Sequence, residues 1–331
     1  VKRFLSAYEE AGIAVDFIFA DWEIDGPIEW NDSWAAHKKC QRCRSEIPDI
    51  HDFRAFQRRL REIRSDIQRA TFGDLVTDRF PECLGGNYGI YPHNGLRYWY
   101  DYFEEEPTED ISVVADQRAK YREWAHEFSG TGYTAAMPVV YTWYPIFRWY
   151  DYDDADYRWF YNMLLVGSNA GRHTPAETPI ITFVHWHTTA PPKQPDSTVK
   201  QFSKQAYTEL LWHLLLRGHD GFFLWCDAGE LKEEIRLVHK VYAESLAYSG
   251  FLQRGVPVSF DVPKEPGSVI SGLRLGKRVL VRRTDFDNAD AQPAAMTLDE
   301  GSEIHVAAER GVQVVSVKSA KPTSGLIQRH D

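Results

Sequence analysis

The chain has 331 residues, a formal net charge of −10, and 43% hydrophobic and 14% aromatic content. No apolar run approaches the ~20 residues of a membrane span, and no Lys/Arg cluster offers the electrostatic footprint that nucleic acid requires. Neither partner is expected, and the net charge also disfavours a strongly polyanionic substrate.

Residues 1–11 read as the end of a helix, with Phe4, Leu5 and Tyr8 on one face and Gly12 as the stop. An apolar strand follows at about 14–21. It leads into Asp21 and Glu23, which alternate around Trp22. Alternate strand residues share a face, so the two carboxylates sit about 7 Å apart along the backbone. Each raises the other's pKa, so one of them can hold a proton near neutrality, as acid/base work on a sugar requires. The plainer possibility is that both acids cap a strand or face water.

The loop 24–31 carries Trp30, and Trp34 lies just beyond it. Cys40 and Cys43, with His37 three residues earlier, have the look of half a zinc site. No second pair of that spacing follows, so neither a metal nor a cofactor is expected. The other cysteines, Cys83 and Cys226, do not make a disulfide scaffold. A long helix spans about 49–70. Phe53, Phe56, Leu60, Ile63 and Ile67 form its apolar stripe, and its Arg/Glu/Asp face reads as solvated.

Residues 82–92, with Gly85, Gly86, Asn87, Tyr88 and Gly89 at their centre, read as a short strand and a turn that allows close approach. A tyrosine-rich loop and a helix at 113–128 come next. A strand at about 135–141 ends at Tyr141, and aromatic residues including Trp143 fill 143–152, which with the loop 98–103 are expected to rim the cleft. A helix at 154–169 precedes a strand from Ile180 to His187, which ends in His185, Trp186 and His187. Metal binding by His185 and His187 would need a third ligand that the sequence does not offer, so they read as pocket residues. A helix at 199–217, a strand from Gly221 to Asp227 through Trp225, and a helix at about 230–248 complete this part.

Strands and helices alternate five times over residues 1–250, which predicts a parallel sheet with crossover helices. Functional residue types recur at strand C-termini (Glu23, Asn87, Tyr141, His185, Trp225), where a (β/α) barrel keeps its active site. A doubly wound sheet is the alternative, but no Gly-rich phosphate loop follows a strand. The expectation is an α/β chain with a TIM-type (β/α) barrel lacking its first strands. A preceding segment or a second chain would supply the rest. From about 251 short alternating runs separated by turn residues predict a small all-β sandwich over 251–331, in an accessory role. Val1 is not an initiator Met and no signal peptide is visible, so a removed leader, and hence a secreted or periplasmic location, is favoured.

Asp16, Asp21, Trp22 and Glu23 resemble the D-x-x-D-x-D-x-E strand motif of family 18 chitinases, with Phe19 in place of one Asp. The shorter D-x-E signature of family 56 hyaluronidases is similar. Tyr141 and Trp225 follow in the order those families use. The resemblance implies a glycoside hydrolase for 2-acetamido sugars, with Glu23 as general acid/base and Asp21 orienting the acetamido group. It also implies that Tyr141 hydrogen-bonds the acetamido oxygen and that Trp225 lies beneath the ring. Trp22, Asn87, Tyr88, Trp143, His185, His187 and Asp227 are the further candidates for substrate contact. In a conventional two-carboxylate enzyme, Asp227 or Glu230 would partner Glu23. A non-catalytic carbohydrate-binding protein is the remaining alternative.

Overall fold

The computed structural model describes residues 1–22, 31–94, 125–189, 193–286, 292–298, 301–309 and 311–317. Glu23, Trp30, the loop 98–103 and most of the helix expected at 113–128 lie outside them. The first part contains α1 (Lys2–Glu10), β1 (Phe17–Ala20), α2 (Asn31–Lys39), α3 (Gln41–Glu46), α4 (Phe53–Gln68), α5 (Asp74–Arg79), β2 (Leu84–Asn87), α6 (Glu127–Gly130), β3 (Val139–Trp143), α7 (Ala155–His173), β4 (Ile181–Thr189), α8 (Lys204–Leu215), β5 (Gly221–Leu224), α9 (Leu231–Ser245) and α10 (Ser249–Arg254).

β1 pairs with β2, and β3 with β4 and β4 with β5, all parallel. Backbone hydrogen bonds from Thr134 and Ala135 to the Gly85 carbonyl join β2 to the run leading into β3. The order therefore follows the chain without reversal, whereas a doubly wound sheet reverses at its switch point. Among the described residues the strands form an open arc whose edges are β1 and β5. The arc is curled: Phe19 of β1 touches Phe223 of β5 at 4.8 Å between ring centroids, and Phe183 of β4 at 5.7 Å.

Three expectations need correction. In α1 only Leu5 is buried, while Phe4 is 69% exposed, because the helix meets the rest of the protein along a single line. In α4 the buried stripe drifts after Leu60 from the expected Ile63 and Ile67 to Arg64 and Gln68. A polar partner, Glu127, waits there, and Ile67 turns to solvent. The aromatic run after β3 is not a rim: Tyr144, Phe147 and Trp149 are buried. The helices α2 and α3 were not expected. Trp34 donates to the Ile50 carbonyl and stacks on Phe53, and the Cys40 thiol caps α3 by accepting the Cys43 amide. That capping gives Cys40 a local structural task.

Beyond α10 lie β6 (Val256–Pro257), β7 (Ser268–Leu275), β8 (Arg278–Asp285), β9 (Ala294–Thr297), β10 (Glu303–Val306) and β11 (Val312–Ser316). They form an antiparallel sheet, β11-β8-β7-β6, and a β10-β9 ladder. Val279, Val281, Met296, Ile304 and Val306 share one apolar cluster. This all-β part is tied to α8 by buried polar contacts. Glu209 takes both Nε and Nη2 of Arg282 at 2.6 and 2.8 Å. Arg217 reaches the Ser271 hydroxyl and the Asp261 carbonyl, and burial pulls its pKa down to about 9.

Beneath β4, His219 donates Nε2–H to the Gly167 carbonyl at 2.9 Å, so Nδ1 accepts from the Thr182 hydroxyl. Burial pulls its pKa from 6.5 down to about 4. A neutral buried ring stabilises the fold fully above its unfolded value, and that contribution is lost as pH falls through its folded value. It amounts to roughly 3 kcal/mol at about 1.4 kcal/mol per unit. Melting temperature should fall between pH 6.5 and 4, and a His219→Gln variant should show a shallower dependence over that interval. Identical slopes would refute the assignment.

Candidate active site

At the C-terminal ends of the strands a continuous set of rings comes together. Trp225 lies 5.8 Å from Tyr88, Tyr88 6.1 Å from Tyr141, Tyr141 6.0 Å from His185, and His185 6.1 Å from His187. Tyr88 and Tyr141 are buried, with Trp225 and His187 half-buried at the margin. Trp143 has its ring edge-on to Trp149.

A carboxylate holds His185 from behind. Glu234 of α9 is fully buried and accepts from the Trp186 amide at 2.9 Å, the Tyr207 hydroxyl at 2.9 Å and His185 Nδ1 at 3.1 Å. The other ring nitrogen of His185, Nε2, faces Glu230, whose oxygens lie 3.7 Å from His185 and 3.8 Å from His187. Asp227 is exposed, and its carbonyl accepts the Glu230 and Leu231 amides where α9 begins. The nearby Cys226 thiol is pushed up to about 11 by burial and by Glu234, Glu230 and Asp227. It is therefore a protonated bystander at neutral pH.

Asp21, at the end of β1, is exposed, and Trp22 is half-buried. Phe17 and Phe19 face the inside, so strand alternation carries Asp21 to the same side. The Asn87 side chain is buried and committed: Oδ1 accepts the Trp22 amide at 3.0 Å, and Nδ2 donates to the Trp22 carbonyl and to Gln68. This corrects its expected part in substrate contact, because a saturated, fully buried amide has nothing left for a sugar. Glu234, Gln68 and Glu127 are the groups that sequence reasoning missed. For Glu234 a signal existed, since it falls on the stripe of α9 that also buries Val241 and Ser245.

A cavity of about 790 Å³ opens at the opposite end of the strands, beside Ile180, Asp220 and Gly221. Its lining includes Ile235, Val238 and Tyr242 of α9 and Leu246 just beyond it. The carboxylates and rings described above lie at the other, C-terminal, ends.

No protein-family model and no curated protein matches this sequence. Among solved structures the chain is similar to bee venom hyaluronidase in a monoclinic crystal form. That match has 14% identity and a TM-score of 0.38, covering 70% of this chain and 69% of the other. A superposition this loose carries no argument about fold or activity.

Proposed function

We propose that the chain is a glycoside hydrolase that cleaves the linkage of a 2-acetamido sugar with retention, with Glu23 as acid/base. Residues 1–250 would form the catalytic portion of a (β/α) barrel, and residues 251–331 an accessory β-sandwich. The open edges of β1 and β5 are where further parallel strands would pair, from a second chain or a preceding segment. The observation that carries the reading is the convergence of Trp225, Tyr141 and His185 with the end of β1 at the C-terminal side of consecutive parallel strands.

In this reading the Glu23 carboxyl gives its proton to the leaving oxygen as the C1–O bond breaks. The acetamido oxygen bonds to C1 in its place, and Asp21 offsets the positive charge that develops on the acetamido group. Tyr141 donates its hydroxyl proton to the acetamido oxygen, and Trp225 stacks beneath the ring. Glu23, now ionised, takes a proton from the water that attacks C1 and reopens the cyclic intermediate. Substrate-assisted cleavage of this kind departs from the two-carboxylate scheme.

Glu230, a half-buried carboxylate flanked by His185 and His187, supports a second reading in which it partners Glu23 in a conventional pair. Paired aryl glycosides, one with a 2-acetamido and one with a 2-hydroxyl group on the same sugar, separate the two. Across several sugar configurations, cleavage of the acetamido member alone is expected. Cleavage of the hydroxyl member would reject substrate assistance and turn attention to Glu230.

A further inference from the structure

We propose that Asn87 is the positioning residue for Trp22, and through it for Glu23, and that a buried relay from Arg64 and Glu127 through Gln68 fixes its orientation. The inference rests on the role of Glu23 proposed above.

The backbone ladder of β1 and β2 ends at the pair Ala20 and Asn87, with Tyr88 donating to the Ala20 carbonyl. Two residues past Ala20 the Asn87 side chain replaces the ladder. It grips both polar groups of Trp22, the amide at 3.0 Å and the carbonyl at 3.3 Å. That carbonyl belongs to the peptide joining Trp22 to Glu23.

The polarity of the clasp is dictated from the far end. Glu127 is buried, pairs with Arg64 at 2.8 Å and can only accept. Gln68 must therefore turn Nε2 toward Glu127, at 3.1 Å. Its Oε1 is left to accept from Asn87 Nδ2 at 3.2 Å and from the Tyr133 hydroxyl at 3.0 Å. Asn87 must then present Oδ1 to the Trp22 amide. Arg64 also sits over the Trp22 indole, 5.7 Å from its centroid, so the same relay holds Trp22 by backbone and by ring. A core that needed only filling would not require a chain of groups whose donor and acceptor order is fixed from end to end.

Asn87→Asp tests this, because it keeps shape and the acceptor for the Trp22 amide. It removes the Nδ2 donor and sets a carboxylate against the Trp22 carbonyl and Gln68 Oε1. Two readouts are needed: hydrogen exchange of the peptide containing Trp22, and kcat and KM on the aryl acetamido glycoside. Exchange at Trp22 should speed up about tenfold or more. The value of kcat should fall roughly 10- to 100-fold with KM within about twofold, as expected when a reacting group is misplaced by an ångström or less. A lowered melting temperature with unchanged kcat and unchanged exchange would mean a purely structural role and overturn the proposal. If the variant does not fold, Gln68→Met decides, because it leaves Asn87 in place but frees it to turn. The same changes are expected at smaller size, and their absence would be equally fatal. If the wild type cleaves no such glycoside, the functional reading fails, while exchange at Trp22 still decides whether the clasp exists.

Discussion

Glu23→Gln protein should bind substrate with a KM within a few-fold of wild type and lose roughly 10²–10⁴ in kcat, the range a general acid/base supplies. The amide keeps the size of the side chain but can neither deliver a proton to the leaving oxygen nor take one from water. The residue follows directly on Trp22, whose backbone is clasped by Asn87, and the substitution is nearly isosteric, so the melting temperature should change little. Asp21→Asn is the companion. Asp21 is exposed, so its loss should leave stability alone and slow only substrates whose acetamido group must be oriented. A Glu23→Gln variant with near-wild-type turnover would reject both enzymatic readings.

The second large effect is on stability. Glu234→Ala should destabilise the protein by about 3–5 kcal/mol in chemical denaturation, the usual consequence of stranding the buried partners of a charged group. The Trp186 amide, the Tyr207 hydroxyl and His185 Nδ1 all donate to this one carboxylate, and the fully buried site gives water no easy route to replace it. The ring of His185 would also lose its fixed tautomer, so activity should fall even in the fraction that stays folded. Glu234→Gln keeps one acceptor and should cost less. A loss below about 1 kcal/mol for the alanine variant would mean that the region relaxes or hydrates freely.

Much of the arc was legible because its determinants are local. Apolar runs such as Ile180–Val184 and Gly221–Leu224 are short and rich in β-branched and aromatic residues, which favours strands, and the helices between them show helical periodicity. The gathering of Tyr141, His185 and Trp225 in space was legible because each sits at the end of a strand. What stayed hidden depended on partners distant in sequence. Arg64 and Gln68 sit on what reads as the solvated face of α4, and only the approach of Glu127, some sixty residues later, makes burying them worthwhile. Glu234 reads as one of a group of surface charges until β4 is laid beside it. The aromatic residues after β3 looked like a cleft rim because residue type does not reveal direction, and the fold turns Tyr144, Phe147 and Trp149 inward.

The most direct measurement is a crystal structure of Glu23→Gln protein soaked with the acetamido glycoside that the wild type turns over. The account predicts a pyranose ring over the Trp225 indole, its acetamido oxygen within hydrogen-bond reach of the Tyr141 hydroxyl and its glycosidic oxygen beside residue 23. Sugar bound only in the cavity beside Ile180 and Tyr242, or with its acetamido group turned away from Tyr141 and Asp21, would contradict it.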